Sequence, residues 1–122
     1  MDNSIILYYM YENEVCAKII VTPPNVCVEN YTDDLVKKPF GIFENPTYEQ
    51  FKQFLEYRCF PKSRFNCKQL LRDAGLDFYD PYQIVKITHG AMTDDVFWIK
   101  FGDENIEWKD VNPRMRGKNG KN

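Results

Sequence analysis

Two short apolar bursts, Val96–Phe101 and Ile106–Trp108, stand either side of Gly102-Asp103-Glu104-Asn105, and each carries one of the chain's two tryptophans. An indole is a large apolar body with one polar handle, so it must be placed deliberately in a small fold. Strand alternation puts Phe97, Ile99 and Phe101 on one face and Val96, Trp98 and Lys100 on the other. The pattern predicts a C-terminal β-hairpin. Trp108 and Asn112 are expected to close a core, with Asp110 as a structural residue beside them, while Trp98 faces a partner. Asp94 and Asp95 are adjacent, so in a strand their side chains point to opposite faces and make a poor acid–base pair. They are expected at a contact surface, one of them pinning the hairpin.

The N-terminal part is also rich in β-formers. Ser4–Tyr11 and Glu14–Thr22 flank a two-residue turn, Glu12-Asn13, which predicts a second hairpin. Pro23-Pro24 ends it, and Val26-Cys27-Val28 offers a third strand. Lys37-Lys-Pro-Phe-Gly41 reads as a loop with Phe40, Ile42 and Phe43 packing down. The middle reads as helices. Thr47 with Gln50 offers a capping box, or Asn45-Pro46 an alternative start, before Phe51, Phe54, Leu55 and Cys59 at helical spacing. Pro61 is expected to stop that helix. Ser63 is the expected cap of a second helix carrying Cys67, Leu70, Leu71 and Ala74 and ended by Gly75. Asp80-Pro81 opens a third with Ile84, Val85 and Ile87. Strands, then helices, then strands predict an α+β fold in one domain, residues 1–113.

Composition removes several classes of function. At 122 residues, 43% hydrophobic and 16% aromatic, the chain is long enough to bury a core without metal or disulfides. No apolar run reaches the length of a membrane helix, and no signal peptide precedes the first strand, so a cytoplasmic protein is expected. Cys16, Cys27, Cys59 and Cys67 lack zinc-ligand spacing and read as free thiols, and His89 has no neighbouring ligand in sequence. No metal, cofactor, small-molecule substrate or catalytic residue is expected. Four of the sixteen basic residues lie within residues 114–122, which hold no acid, so residues 1–113 carry 12 basic against 18 acidic side chains, a net of −6. The tail, rich in Gly and Asn, is expected to be disordered. The acidic body opposes nucleic-acid binding, which requires neutralising several phosphates.

Between the first two helices, Arg58 and Arg64 flank the corner at Pro61. Two guanidinium forks there either grip a partner's carboxylate or phosphate, or tie the corner to acids of the same domain.

The order of motifs resembles the N-terminal region of HipA-like proteins, the serine/threonine kinases of bacterial toxin–antitoxin systems. Tyr9-Met-Tyr-Glu-Asn-Glu-Val15 resembles the opening strand, turn and strand, and Lys38-Pro-Phe-Gly-Ile42 the following loop. Arg58-Cys-Phe-Pro-Lys-Ser-Arg64 is similar to the family's Arg-x-x-Pro-x-Ser-Arg corner, with Leu70-Leu71 downstream. His89-Gly90 and Thr93-Asp-Asp-Val-Phe-Trp-Ile99 resemble its Gly-Leu-Ser-Leu-Ser-Asp-x-Tyr-Trp-Ile strand, and Trp108-Lys-Asp-Val-Asn112 its Trp-x-Asp-Val-Asn ending. The likeness covers most of residues 5–112. Leu55-Glu-Tyr57 replaces the tryptophans that often precede the first arginine. The 122 residues hold no Gly-rich phosphate loop, catalytic Asp-to-Asn loop or metal-binding Asp motif.

The resemblance implies a free-standing, non-catalytic module that binds a HipA-like kinase or another toxin, in the manner of an antitoxin. Arg58, Arg64, Asp94, Asp95 and Trp98 are its expected contact residues, with Pro61, Trp108, Asp110 and Asn112 structural. The alternative is a small phage- or plasmid-encoded inhibitor of a defence system, using its acidic body as a protein or nucleic-acid mimic.

Overall fold

Parity of side chains along the first two strands decides how the chain layers. A computed structural model describes residues 4–59, 62–93, 95–102 and 104–113. β1 (Ile5–Tyr11) and β2 (Glu14–Thr22) form the expected hairpin about Glu12-Asn13, and β3 (Asn25–Asn30) follows a Pro23-Pro24 turn. Leu7, Tyr9, Ala17, Ile19 and Val21 share one face of this sheet and are buried. Burial of each large aliphatic side chain among them stabilises by roughly 1.5–3 kcal/mol.

Three helices cover that face. α1 (Tyr48–Tyr57) starts at a Thr47–Gln50 capping box, with Gln50 N–H donating to Thr47 Oγ1 at 3.0 Å and Thr47 N–H to Gln50 Oε1 at 2.8 Å. Its Phe51, Phe54 and Leu55 turn inward. α2 (Cys67–Asp73) begins after Asn66, not at the expected cap Ser63, which is exposed in a turn four residues earlier in the chain than Cys67. It ends in a Schellman motif, where Leu76 N–H donates to Leu71 O and Gly75 N–H to Arg72 O, with Gly75 at φ +78°. α3 (Pro81–Thr88) starts at Asp80, whose carboxylate accepts from Tyr82 N–H. Ile84 and Val85 enter the core; Ile87 is exposed. The predicted α+β class is therefore observed, with a four-stranded antiparallel sheet of order β3-β2-β1-β4.

The last element departs from expectation. β4 (Phe97–Phe101) does not pair with Ile106–Trp108; it pairs with the open edge of β1, Met10 opposite Trp98 and Tyr8 opposite Lys100. The second apolar burst crosses to the sheet's other face, where Trp108–Val111 makes one helical turn, α4. There Ile106, Trp108 and Val111 cover Met10 and Trp98 in a small second core. A strand at 106–108 would place Ile106 and Trp108 on one face, but Val111 joins them only if the chain coils. Asp110 accepts a hydrogen bond from Glu107 N–H at 2.8 Å and so fixes the start of that coil. Asn112 closes it through its N–H to Trp108 O.

Both tryptophan segments end at the first turn. The Trp98 indole N–H donates to Glu12 O at 2.6 Å, Glu12 N–H donates to Val96 O, and Trp108 N–H donates to Asn13 Oδ1 at 2.8 Å. Trp98 is wholly buried while Trp108 is half-buried. Pro61, Asp94 and the tail 114–122, to which expectations were attached, lie outside the described residues. No helix among the described residues is long and apolar enough to cross a membrane. Trp98→Ala is expected to cost roughly 3–5 kcal/mol, and Trp108→Ala clearly less, as measured by urea denaturation.

Candidate functional site: the Arg58 corner and an aromatic groove

Arg58 is the C-terminal cap of α1, and its side chain reaches the 90–97 segment. It is 6% exposed, the one charged residue in the described interior. A buried guanidinium is tolerated only if its charge and its fan of N–H donors are met. They are. Nη1 and Nη2 donate to Asp95 Oδ2 and Oδ1, both at 3.0 Å, a bidentate pair. Nη2 also donates to Phe97 O at 2.8 Å, and Nε to Gly90 O at 3.0 Å. Asp95 Oδ1 further accepts from Phe97 N–H at 3.1 Å, which sets the first residue of β4.

The turn that meets Arg58 is shaped for it. His89 caps α3 in the left-handed region, φ 59° and ψ 22°, and its carbonyl accepts from Ile99 N–H at 2.7 Å. Gly90 follows at φ +63°; a Cβ there would stand 3.1 Å from Arg58 Cβ and 3.4 Å from Ile99 Cδ1. His89 Nε2 lies 2.9 Å from Glu104 Oε2, and Glu104 Oε1 accepts from Phe101 N–H. One acidic residue thus ties the α3 terminus to the end of β4.

Sequence reasoning names Arg58 and Trp98 as contact residues, with an internal tie as the alternative for Arg58; the structure turns both inward and realises that alternative. The physical reason is the same in each case. The polar group finds its partners inside the fold, Asp95 with two carbonyls for Arg58, and Glu12 O for the Trp98 indole. Arg64 is exposed, so the two guanidinium groups do not form a paired clamp. Asp95 pins the first residue of β4; its side chain is one-third exposed and engaged with Arg58.

Among the described residues, one thiol and two phenols packed near the corner are shifted toward their neutral forms. Burial first, then the carboxylates of Glu56 and Asp80, pushes the Cys59 thiol up to about 12, and its Sγ donates to Leu55 O at 3.2 Å. Burial likewise pushes the Tyr79 hydroxyl up to about 12, with Cys59 adding to the shift. Tyr9, stacked on Phe97 at 5.0 Å and edge-on to Phe54, is also raised to about 12, chiefly by burial. All three stay protonated near neutrality. The four cysteines are free, Cys27 exposed and the others buried.

A different feature carries unused apolar surface. Pro39, Phe40, Phe43, Phe54 and Tyr57, with Gln50 and Gln53, line an open groove of about 300 Å³ between the 39–43 segment and α1. Phe40 packs down as expected, but Phe43 and Ile42 do not: they are 53% and 72% exposed, and Tyr57 is 83% exposed. Neither strand nor helix periodicity governs this loop, so hydrophobicity alone misassigned two of its three apolar residues. The groove residues were missed for that reason. The surviving signal is Tyr57, which stands outside the Phe51, Phe54, Leu55 stripe.

Gly90→Ala is expected to destabilise by about 1–3 kcal/mol, because it adds both a positive-φ penalty and a clash with Arg58. A urea midpoint unchanged in that variant would contradict the described corner. No family model matches the chain, and no curated protein or solved structure matches it either.

Proposed function

We propose that this chain is a non-catalytic protein-interaction module, an antitoxin-like regulator that binds a kinase or other toxin through the groove between residues 39–43 and α1. The observation that carries the reading is the exposure of Phe43 and Tyr57 on that groove's walls, with Ile42 exposed on the same loop. Aromatic surface rimmed by glutamines is the usual composition of a protein contact: rigid apolar anchors with neutral polar groups at the edge. The class of partner comes from the resemblance of the Arg58, Asp95–Ile99 and Trp108–Asn112 segments to HipA-like N-terminal regions. On this reading those motif residues maintain the module's shape, and the groove supplies the contact. Arg64, exposed beyond α1, belongs at most to the rim of that contact.

The mimic alternative has less behind it. Asp80 and Asp110 serve the starts of α3 and α4, and Asp95 and Glu104 are paired internally. These carboxylates each have a partner within the fold.

The test is co-expression with each protein encoded beside this chain, followed by titration of any purified pair. Phe43→Ala with Tyr57→Ala is expected to weaken binding at least tenfold with an unchanged urea midpoint, since both side chains are largely exposed. Absence of a complex with every adjacent gene product would overturn the reading.

A further inference from the structure

The two edges of the sheet are finished differently. Residues 97, 99 and 101 of β4 direct their backbone groups away from β1, and nearly every one of those groups is occupied. Phe97 N–H goes to Asp95, Ile99 N–H to His89 O and Phe101 N–H to Glu104, while Phe97 O receives Arg58 and Phe101 O receives Glu104 N–H. That edge is closed to another strand.

β3 is the opposite edge. The pairing of Ile20 with Cys27 and Lys18 with Glu29, together with Tyr31 N–H to Cys16 O, fixes the parity. It turns the N–H and C=O groups of Val26, Val28 and Asn30 outward, and no backbone hydrogen bond among the described residues meets them. An open polar cleft of about 470 Å³ runs beside this edge, lined by Val28, Asn30, Thr32, Asp33, Lys38 and Glu44, among others. Asn30 Oδ1 is buried there without a hydrogen-bond partner.

We propose that the outer edge of β3 is a strand-addition site for an extended, basic segment of a protein partner. Unpaired backbone groups supply register-specific hydrogen bonds to any extended peptide, and side-chain pockets select among them. The side chains of Val26 and Val28 are half-buried on the core face, so alternate residues of the incoming strand meet apolar surface. The cleft carries Asp33 and Glu44 against Lys38, and among the described residues none of the three is in an ion pair. A basic strand therefore complements it. A second copy does not: it would bring the same excess of carboxylates to the cleft, on a body of net charge −6. This site is separate from the aromatic groove and does not depend on it.

The experiment uses the full chain and two synthetic ten-residue peptides of alternating Val and Lys, one N-methylated at every second residue on its pairing edge. The unmodified peptide is expected to bind and to protect the amides of Val28 and Asn30 in hydrogen exchange, leaving those of residues 97–101 unchanged. N-methylation is expected to weaken binding at least tenfold, as is Asp33→Asn with Glu44→Gln. Val28→Pro, which removes an outward donor, is expected to do the same while the hydrogen-exchange protection of residues 97–101 is retained. Phe43→Ala with Tyr57→Ala should leave this binding intact, which separates it from the groove. Equal binding of the N-methylated peptide, no binding, protection elsewhere, or protection of Val28 by self-association without peptide would each overturn the proposal.

Discussion

The guanidinium of Arg58 is the constraint on which the rest of this fold depends. Once it is buried at the end of α1, its charge and donors must be satisfied by groups of the protein rather than by water. The satisfying groups come from Gly90, Asp95 and Phe97, on chain segments 32 to 39 residues away. Meeting them fixes the end of α1, the turn after α3 and the start of β4 in a single geometry. From there β4 enters the edge of β1, Trp98 reaches Glu12 O, and Ile106, Trp108 and Val111 close over Met10 and Trp98. Such a pair adds little net stability over a well-packed apolar substitute, yet breaking one half leaves a charge buried alone. Its contribution is to specify one arrangement among several that hydrophobic burial alone would permit.

The local elements were legible in the sequence because their signals are local. The Glu12-Asn13 turn, the Thr47–Gln50 box, the Asp80-Pro81 start and Gly75 each act within a few residues, and each has the expected role. What escaped is long-range. A strand at Val96–Phe101 is readable, but its choice of β1 over Ile106–Trp108 depends on an edge formed by residues 86 to 94 positions earlier. Arg58 stays open between a partner's acid and one of its own domain, because a sequence does not reveal that Asp95 stands opposite it. Ser63 looked like a cap, but α2 starts at Cys67, leaving Ser63 in an exposed turn. Phe43 and Ile42 were assigned inward on hydrophobicity alone, with no periodicity to test the assignment.

This division bears on function. Arg58, Asp95, Trp98 and Trp108, the residues that stand out in the sequence, are spent on holding the fold. Surfaces left for recognition lie in segments with weaker patterns, the 39–43 loop with the C-terminal end of α1, and the outer edge of β3. One offers aromatic side chains and the other offers backbone. The closing of the β4 edge by Asp95, Arg58, His89 and Glu104 means the buried corner also protects the sheet from pairing on that side.

A double-mutant cycle between Arg58 and Asp95 tests the central claim most directly, using Arg58→Met, Asp95→Asn and the pair, followed by urea denaturation. Each single change is expected to cost on the order of 3 kcal/mol. The double variant should lose little more than either one, giving a coupling energy of about 2 kcal/mol or more. Costs that simply add, with coupling below about 0.5 kcal/mol, would contradict the account.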